Sequence, residues 1–172
     1  RVEELFDKSV INIAHNAGFD MFFIEKYLNK KYFYGCTLNG VNWEEFRHCK
    51  QEDLCEYHGF SYVGHRADID VLALISLLLF EDYFKQTLED SKVERVLVLP
   101  FDAPFSSKDI LRSNKHKWIA NKKIWAKKVP MSEVDEYTSS LNKEVYGEGS
   151  NKKAAIQKIS LKDNYKAIDR LI

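Results

Sequence analysis

An apolar run that stops at a histidine limits how the front of this chain can fold. Residues 10–14, VINIA, read as a short buried strand. His15, Asn16, Ala17, Gly18, Phe19 and Asp20 follow directly, and residues 21–28 then place apolar side chains on one broad face of a predicted helix. The hexad therefore sits where a strand ends and a helix begins. A second hexad, His65, Arg66, Ala67, Asp68, Ile69 and Asp70, opens another predicted helix, running to about residue 84 and apolar on almost every side. Each hexad sets a carboxylate at a helix start, where unpaired backbone N–H groups and the helix dipole favour negative charge.

His15, Asn16, Phe19 and Asp20 fit the pattern H-N-x-x-F-D, and His65, Ala67 and Asp70 fit H-x-A-x-x-D. In this order and about fifty residues apart, the two resemble the second and third motifs of the DEDD-type 3′–5′ exonucleases of the histidine-bearing subclass, the proofreading-subunit class with a ribonuclease H-like fold. The resemblance covers roughly residues 8–84. It implies an α/β catalytic domain that removes nucleotides from the 3′ end of a nucleic acid, with DNA favoured, and releases nucleoside monophosphates. It also implies two divalent cations, Mg²⁺ or Mn²⁺. By the same resemblance Asp70 binds metal directly, Asp20 completes the metal site, and His65 is the general base. Asn16 and Phe19 contact the terminal nucleotide or brace Asp20. These residue types suit the chemistry, because hard cations prefer oxygen ligands and an imidazole titrates near neutrality. His15 is expected to make a structural hydrogen bond, and Asp68, one position off the pattern, to be solvated.

The first motif of that family, D-x-E, is absent; Glu3, Glu4 and Asp7 do not form it. The expectation is an N-terminally incomplete ribonuclease H-like exonuclease domain, inactive or weak as this chain alone. Its open sheet edge would then be covered by a partner or a further segment.

A polar stretch at 87–92 reads as a linker, which places a domain boundary near residue 90. Residues 1–90 form the exonuclease part, and residues 91–172 form a small basic α+β module. The net charge is zero, yet residues 1–100 hold 11 Lys and Arg against 17 Asp and Glu, while residues 101–172 hold 15 against 9. An acidic half that gathers cations and a basic half that holds phosphate make a reasonable nuclease arrangement. In the module, residues 95–99 read as a strand, 106–111 as a short helix, and 118–126 as a hairpin with Trp118 opposite Trp125. A helix from Pro130 to Gly147 and a last strand near 154–159 follow. The module resembles one appended to some bacterial exonucleases. Lys117, Lys122, Lys123 and Lys127 around the hairpin are candidate nucleic-acid contacts, and the two tryptophans are expected to form the module's core.

Cys36, Cys49 and Cys55 are odd in number and lack disulfide or zinc-ligand spacing, even with His48 and His58. Buried thiols, surface imidazoles and a reducing cytoplasm are the expectation. The longest apolar run is of core-helix length, so no membrane partner is expected. The expected partners are nucleic acid 3′ ends and a polymerase or another subunit. The alternative function is a non-catalytic nucleic-acid-binding or polymerase-associated interaction module.

Overall fold

A computed structural model describes every residue except Arg1, Glu45, Arg47, His48, His65 and Glu81. The chain divides into two compact units, Arg1–Lys92 and Val93–Ile172, and both mix helix with strand. Among the described residues no helix is long and apolar enough to cross a membrane.

The first unit runs α1 (Val2–Lys8), β1 (Asn12–Ala14), α2 (Ala17–Leu28), β2 (Tyr34–Cys36), α3 (Thr37–Gly40), α4 (Gln51–Tyr57), α5 (Ala67–Leu78) and α6 (Tyr83–Ser91). β1 and β2 pair in parallel, Ile13 against Gly35. α2 is the crossover that a parallel pair requires. β2 is fully buried because α6 lies over it: a Cβ on Gly35 would sit 3.0 Å from Thr87 Cγ2 and 3.2 Å from Ile11 Cδ1. Val41, Trp43, Leu54, Leu77 and Tyr83 build an aromatic-rich core. His58 joins it by stacking on Phe80 at 4.4 Å and bonding the Tyr83 hydroxyl at 3.1 Å. That imidazole is therefore packed, not the surface group expected. α4 ends where Gly59 takes φ +83° and Phe60 N–H reaches the Cys55 carbonyl, a left-handed cap.

Three expectations about this unit are corrected. The predicted strand at 10–14 keeps only Asn12–Ala14. The single helix expected to reach about residue 84 is two, α5 and α6, and the stretch 87–92 read as a linker belongs largely to α6. The unit also leaves much apolar surface open: Phe19, Phe23 and Tyr27 on α2 and Val71, Leu72 and Ile75 on α5 are exposed.

The second unit runs β3 (Arg95–Leu99), α7 (Lys108–Ser113), β4 (Lys117–Ile119), β5 (Ile124–Pro130), α8 (Val134–Tyr146) and β6 (Ala155–Lys158). Its antiparallel sheet has the order β4-β5-β3-β6. Alternation along β3 splits the core in two. Val96 and Val98 meet Leu111, Val134, Leu141 and Val145 of α7 and α8. Leu97 and Leu99 meet Ile119, Ile124, Ala126 and the C-terminal Ile168 and Leu171. The central strand is thus buried on both faces, which explains its unbroken apolar run. Trp118 does pair with Trp125 across the hairpin. The tryptophans do not form the core, however: Trp125 lies half-buried against it, and Trp118 is 46% exposed.

Two outcomes test this packing. Leu97→Ala should destabilise the second unit by about 3 kcal/mol, read by urea unfolding through Trp118 and Trp125 fluorescence. His116 is buried, and burial together with the Lys127 charge holds it down to about 4. As pH falls from the ordinary value of 6.5, the unfolded chain takes up a proton that the folded unit refuses, so stability should fall. The loss should approach about 1.4 kcal/mol per pH unit. His116→Gln should remove that part of the slope between pH 6.5 and 4.5.

Candidate active site

The turn between β1 and α2 is held by side chains rather than by a conventional cap. His15 Nε2 donates to the Cys49 carbonyl at 2.7 Å. With that proton fixed, Nδ1 accepts from the Thr37 hydroxyl at 2.8 Å. Burial lowers the His15 pKa, in keeping with a neutral ring whose two nitrogens are both engaged. This is the structural hydrogen bonding expected of it. Asn16 takes φ +65° and ψ +49°, a left-handed conformation that Asn tolerates better than most residues. Its side chain makes no cap, and the first free N–H of α2, that of Ala17, donates instead to Cys36 Sγ at 3.3 Å. Burial raises the pKa of that thiol, which keeps it neutral.

From this turn α2 carries Phe19 and Asp20 outward in its first turn, and α5 does the same for Asp70. The two carboxylates line one cleft of about 680 Å³, together with Asn16, Phe19, Glu52 and Tyr62. Gln51 Nε2 donates to the Asp70 carbonyl at 2.7 Å, which ties the start of α4 to the start of α5. Asp68 is exposed and pairs with Arg66 at 3.1 Å, facing solvent as expected. His65 lies outside the described residues.

The electrostatics of the cleft are acidic. Burial raises Asp20 above its ordinary 3.8. Burial, then the charges of Asp20 and Glu25, push the Tyr34 phenol up. Burial, then Cys55, Glu52 and Asp70, push Tyr62 up to about 12. The Tyr34 hydroxyl lines this cleft, buried and without a hydrogen-bond partner. Oxygen donors of this kind suit a hard divalent cation. Among the described residues no group of three or more His, Cys, Asp or Glu forms a metal cage. A cation here would draw its remaining ligands from water and from phosphate, as Mg²⁺ commonly does.

Glu52, Tyr62 and Tyr34 were not singled out from sequence. Glu52 lies in an ordinary acidic first turn of α4, and the two tyrosines sit in apolar stretches, so no spacing marks them. In the second unit the four candidate lysines separate. Lys117 pairs with Asp169 at 3.1 Å, and Lys127 lies 4.2 Å over the Tyr137 ring with its pKa lowered by burial. Lys122 and Lys123 are exposed in the hairpin turn.

No protein-family description, no characterised protein and no solved structure matches the chain.

Because the folded pKa of Asp20 is raised, its favourable contribution exists below pH 3.8 and is lost as pH climbs through the folded value. At neutral pH the metal-free carboxylate therefore costs stability. Asp20→Asn should raise the thermal midpoint at pH 7 in chelator, with the gain vanishing below about pH 4.

Proposed function

We propose that this chain carries the second half of a metal-dependent 3′–5′ exonuclease site, on part of a ribonuclease H-like domain. One observation carries the reading. Asp20 and Asp70, each delivered by a motif of the histidine-bearing exonucleases, line the same cleft from the first turns of two helices. Asp20 and Asp70 would hold Mg²⁺ or Mn²⁺, with Glu52 at the same cleft as a further oxygen donor. When bound, the cations supply Lewis acidity toward the phosphodiester and lower the pKa of water.

The chain's own residues supply the rest. His65 takes the proton of the attacking water, a task that suits a group titrating near neutrality. Phe19 is 61% exposed and braced by Phe23 at 5.0 Å, so it offers a flat face to the terminal base. Asn16 sits beside it on the cleft wall. Burial raises the Asp20 pKa, and a cation bound beside it would return that carboxylate toward its ionised form. The substrate is a nucleic acid 3′ end, with DNA favoured, and the products are nucleoside monophosphates.

A second reading is a nucleic-acid-binding or polymerase-associated module that retains the motifs without catalysis, with exposed Lys122 and Lys123 in the hairpin turn as its cationic contacts.

Mn²⁺ binding separates the two. Electron paramagnetic resonance should show this chain depleting free Mn²⁺, with Asp20→Asn and Asp70→Asn each weakening binding about tenfold or more. Joined to an upstream strand bearing D-x-E, the chain should shorten a 3′-labelled single strand one nucleotide at a time in Mn²⁺, and His65→Ala should abolish this. Absence of Mn²⁺ binding and of strand shortening in the folded, joined chain, or behaviour there indifferent to these substitutions, would sink the enzyme reading.

A further inference from the structure

The second unit holds a cleft of its own, of about 500 Å³, which the nuclease reading does not use. Its floor is the aromatic pair of the hairpin. Strand register sets Trp118 directly opposite Trp125, so both rings emerge on one face. Their centroids are 5.3 Å apart with planes at 54°, and the tilt prevents either ring from covering the other. Phe105, 87% exposed, stands on the same cleft. A volume of this size is typical of small-ligand sites. Leaving this much aromatic area in water is unfavourable unless something covers it.

The rim is cationic. Lys108 and Arg112 are four residues apart on α7, hence on one helix face, and both line the cleft. Lys123 reaches it from the hairpin turn, where its φ of +52° bends the chain. Asp102 is the single carboxylate on the lining. Lys108 lies 5.5 Å from the Phe105 ring centroid. No described carboxylate pairs with Lys108, Arg112 or Lys123, in contrast to Lys117, which Asp169 neutralises.

Flat apolar faces rimmed by unneutralised cations are the two halves of one ligand chemistry, an unstacked base joined to phosphate. A duplex keeps its bases stacked inside and could not present them to Trp118. We infer that this cleft binds single-stranded nucleic acid, with a base on Trp118 and backbone phosphates on Lys108, Arg112 and Lys123. The inference deepens the nuclease proposal by naming a single strand as partner. It stands on different residues and needs no metal.

The test is therefore run on the whole chain in chelator, so that a failed metal site cannot affect it. A fluorescein-labelled twelve-residue oligo-dT should bind with rising anisotropy and quench Trp118 fluorescence. Trp118→Ala should weaken binding about tenfold, and Trp118→Phe, which keeps a flat ring, should weaken it by less than about threefold. Arg112→Ala with Lys123→Ala should weaken it and lower the salt-dependence slope by about 1.4, at about 0.7 per phosphate contact on a single strand. Circular dichroism of each variant should match the parent, since Trp118, Arg112 and Lys123 are all exposed. Absence of oligonucleotide binding would overturn the inference, as would binding unchanged in these variants. Inorganic tripolyphosphate competing on equal terms would reduce the cleft to an anion patch. An acidic aromatic peptide quenching Trp118 where oligo-dT does not would assign the cleft to a protein partner instead.

Discussion

The first unit depends on an imidazole with both nitrogens committed. His15 closes β1, and its two bonds tie that strand end to Thr37 at the start of α3 and to the backbone at Cys49. Thr37 is itself fully buried, and its carbonyl accepts from Trp43 Nε1 at 2.8 Å. Trp43 packs at a tilt on Tyr83, ring centroids 4.8 Å apart, and Tyr83 opens α6. A continuous polar and aromatic chain thus runs from the strand end to the helix that covers β2. Removing the ring would leave a buried hydroxyl and a carbonyl without partners, costly in a protein interior. The position of Asp20, five residues on, follows from this anchoring: the carboxylate is aimed by the turn, and the turn is held by His15.

Asp70 is aimed by different means. Its helix start is tethered through its backbone carbonyl by Gln51, so the α4–α5 pair fixes the second carboxylate as the β1–α2 turn fixes the first. Both arrive in the first turn of a helix, where partial positive charge offsets the cost of crowding acids. Burial first, and the neighbouring acids second, raise the Tyr34 and Tyr62 phenols beside them.

Legibility from sequence followed local signals. The hairpin was readable to the residue pair, because Asn121 and Lys122 centre a short turn between strands whose tryptophans then fall opposite each other. The helix ending at Gly147 and both acidic helix starts were readable for the same reason. The split between α5 and α6 was not, since no Gly or Pro interrupts residues 71–84. The break comes from tertiary contacts, with Phe80 stacked on His58. α6 looked like a linker because its composition is polar. Yet Tyr83, Thr87 and Ser91 fall on one buried stripe, and the hydroxyls of Thr87 and Ser91 bond back to the carbonyls of Tyr83 and Leu88. The fates of the lysines were equally hidden, because pairing partners such as Asp169 lie far along the chain.

The left-handed Asn16 and the doubly bonded His15 bear on which positions of this turn the fold alone would hold. Both residues serve the backbone, so mutational drift would be resisted at each by folding alone. Asp20 is the opposite case, a half-buried acid that the empty fold would be better without. Under the demands of folding alone the histidine and asparagine are held in place, while the aspartate is free to change. Position 20 is thus the place in this turn where a task other than folding would leave its mark.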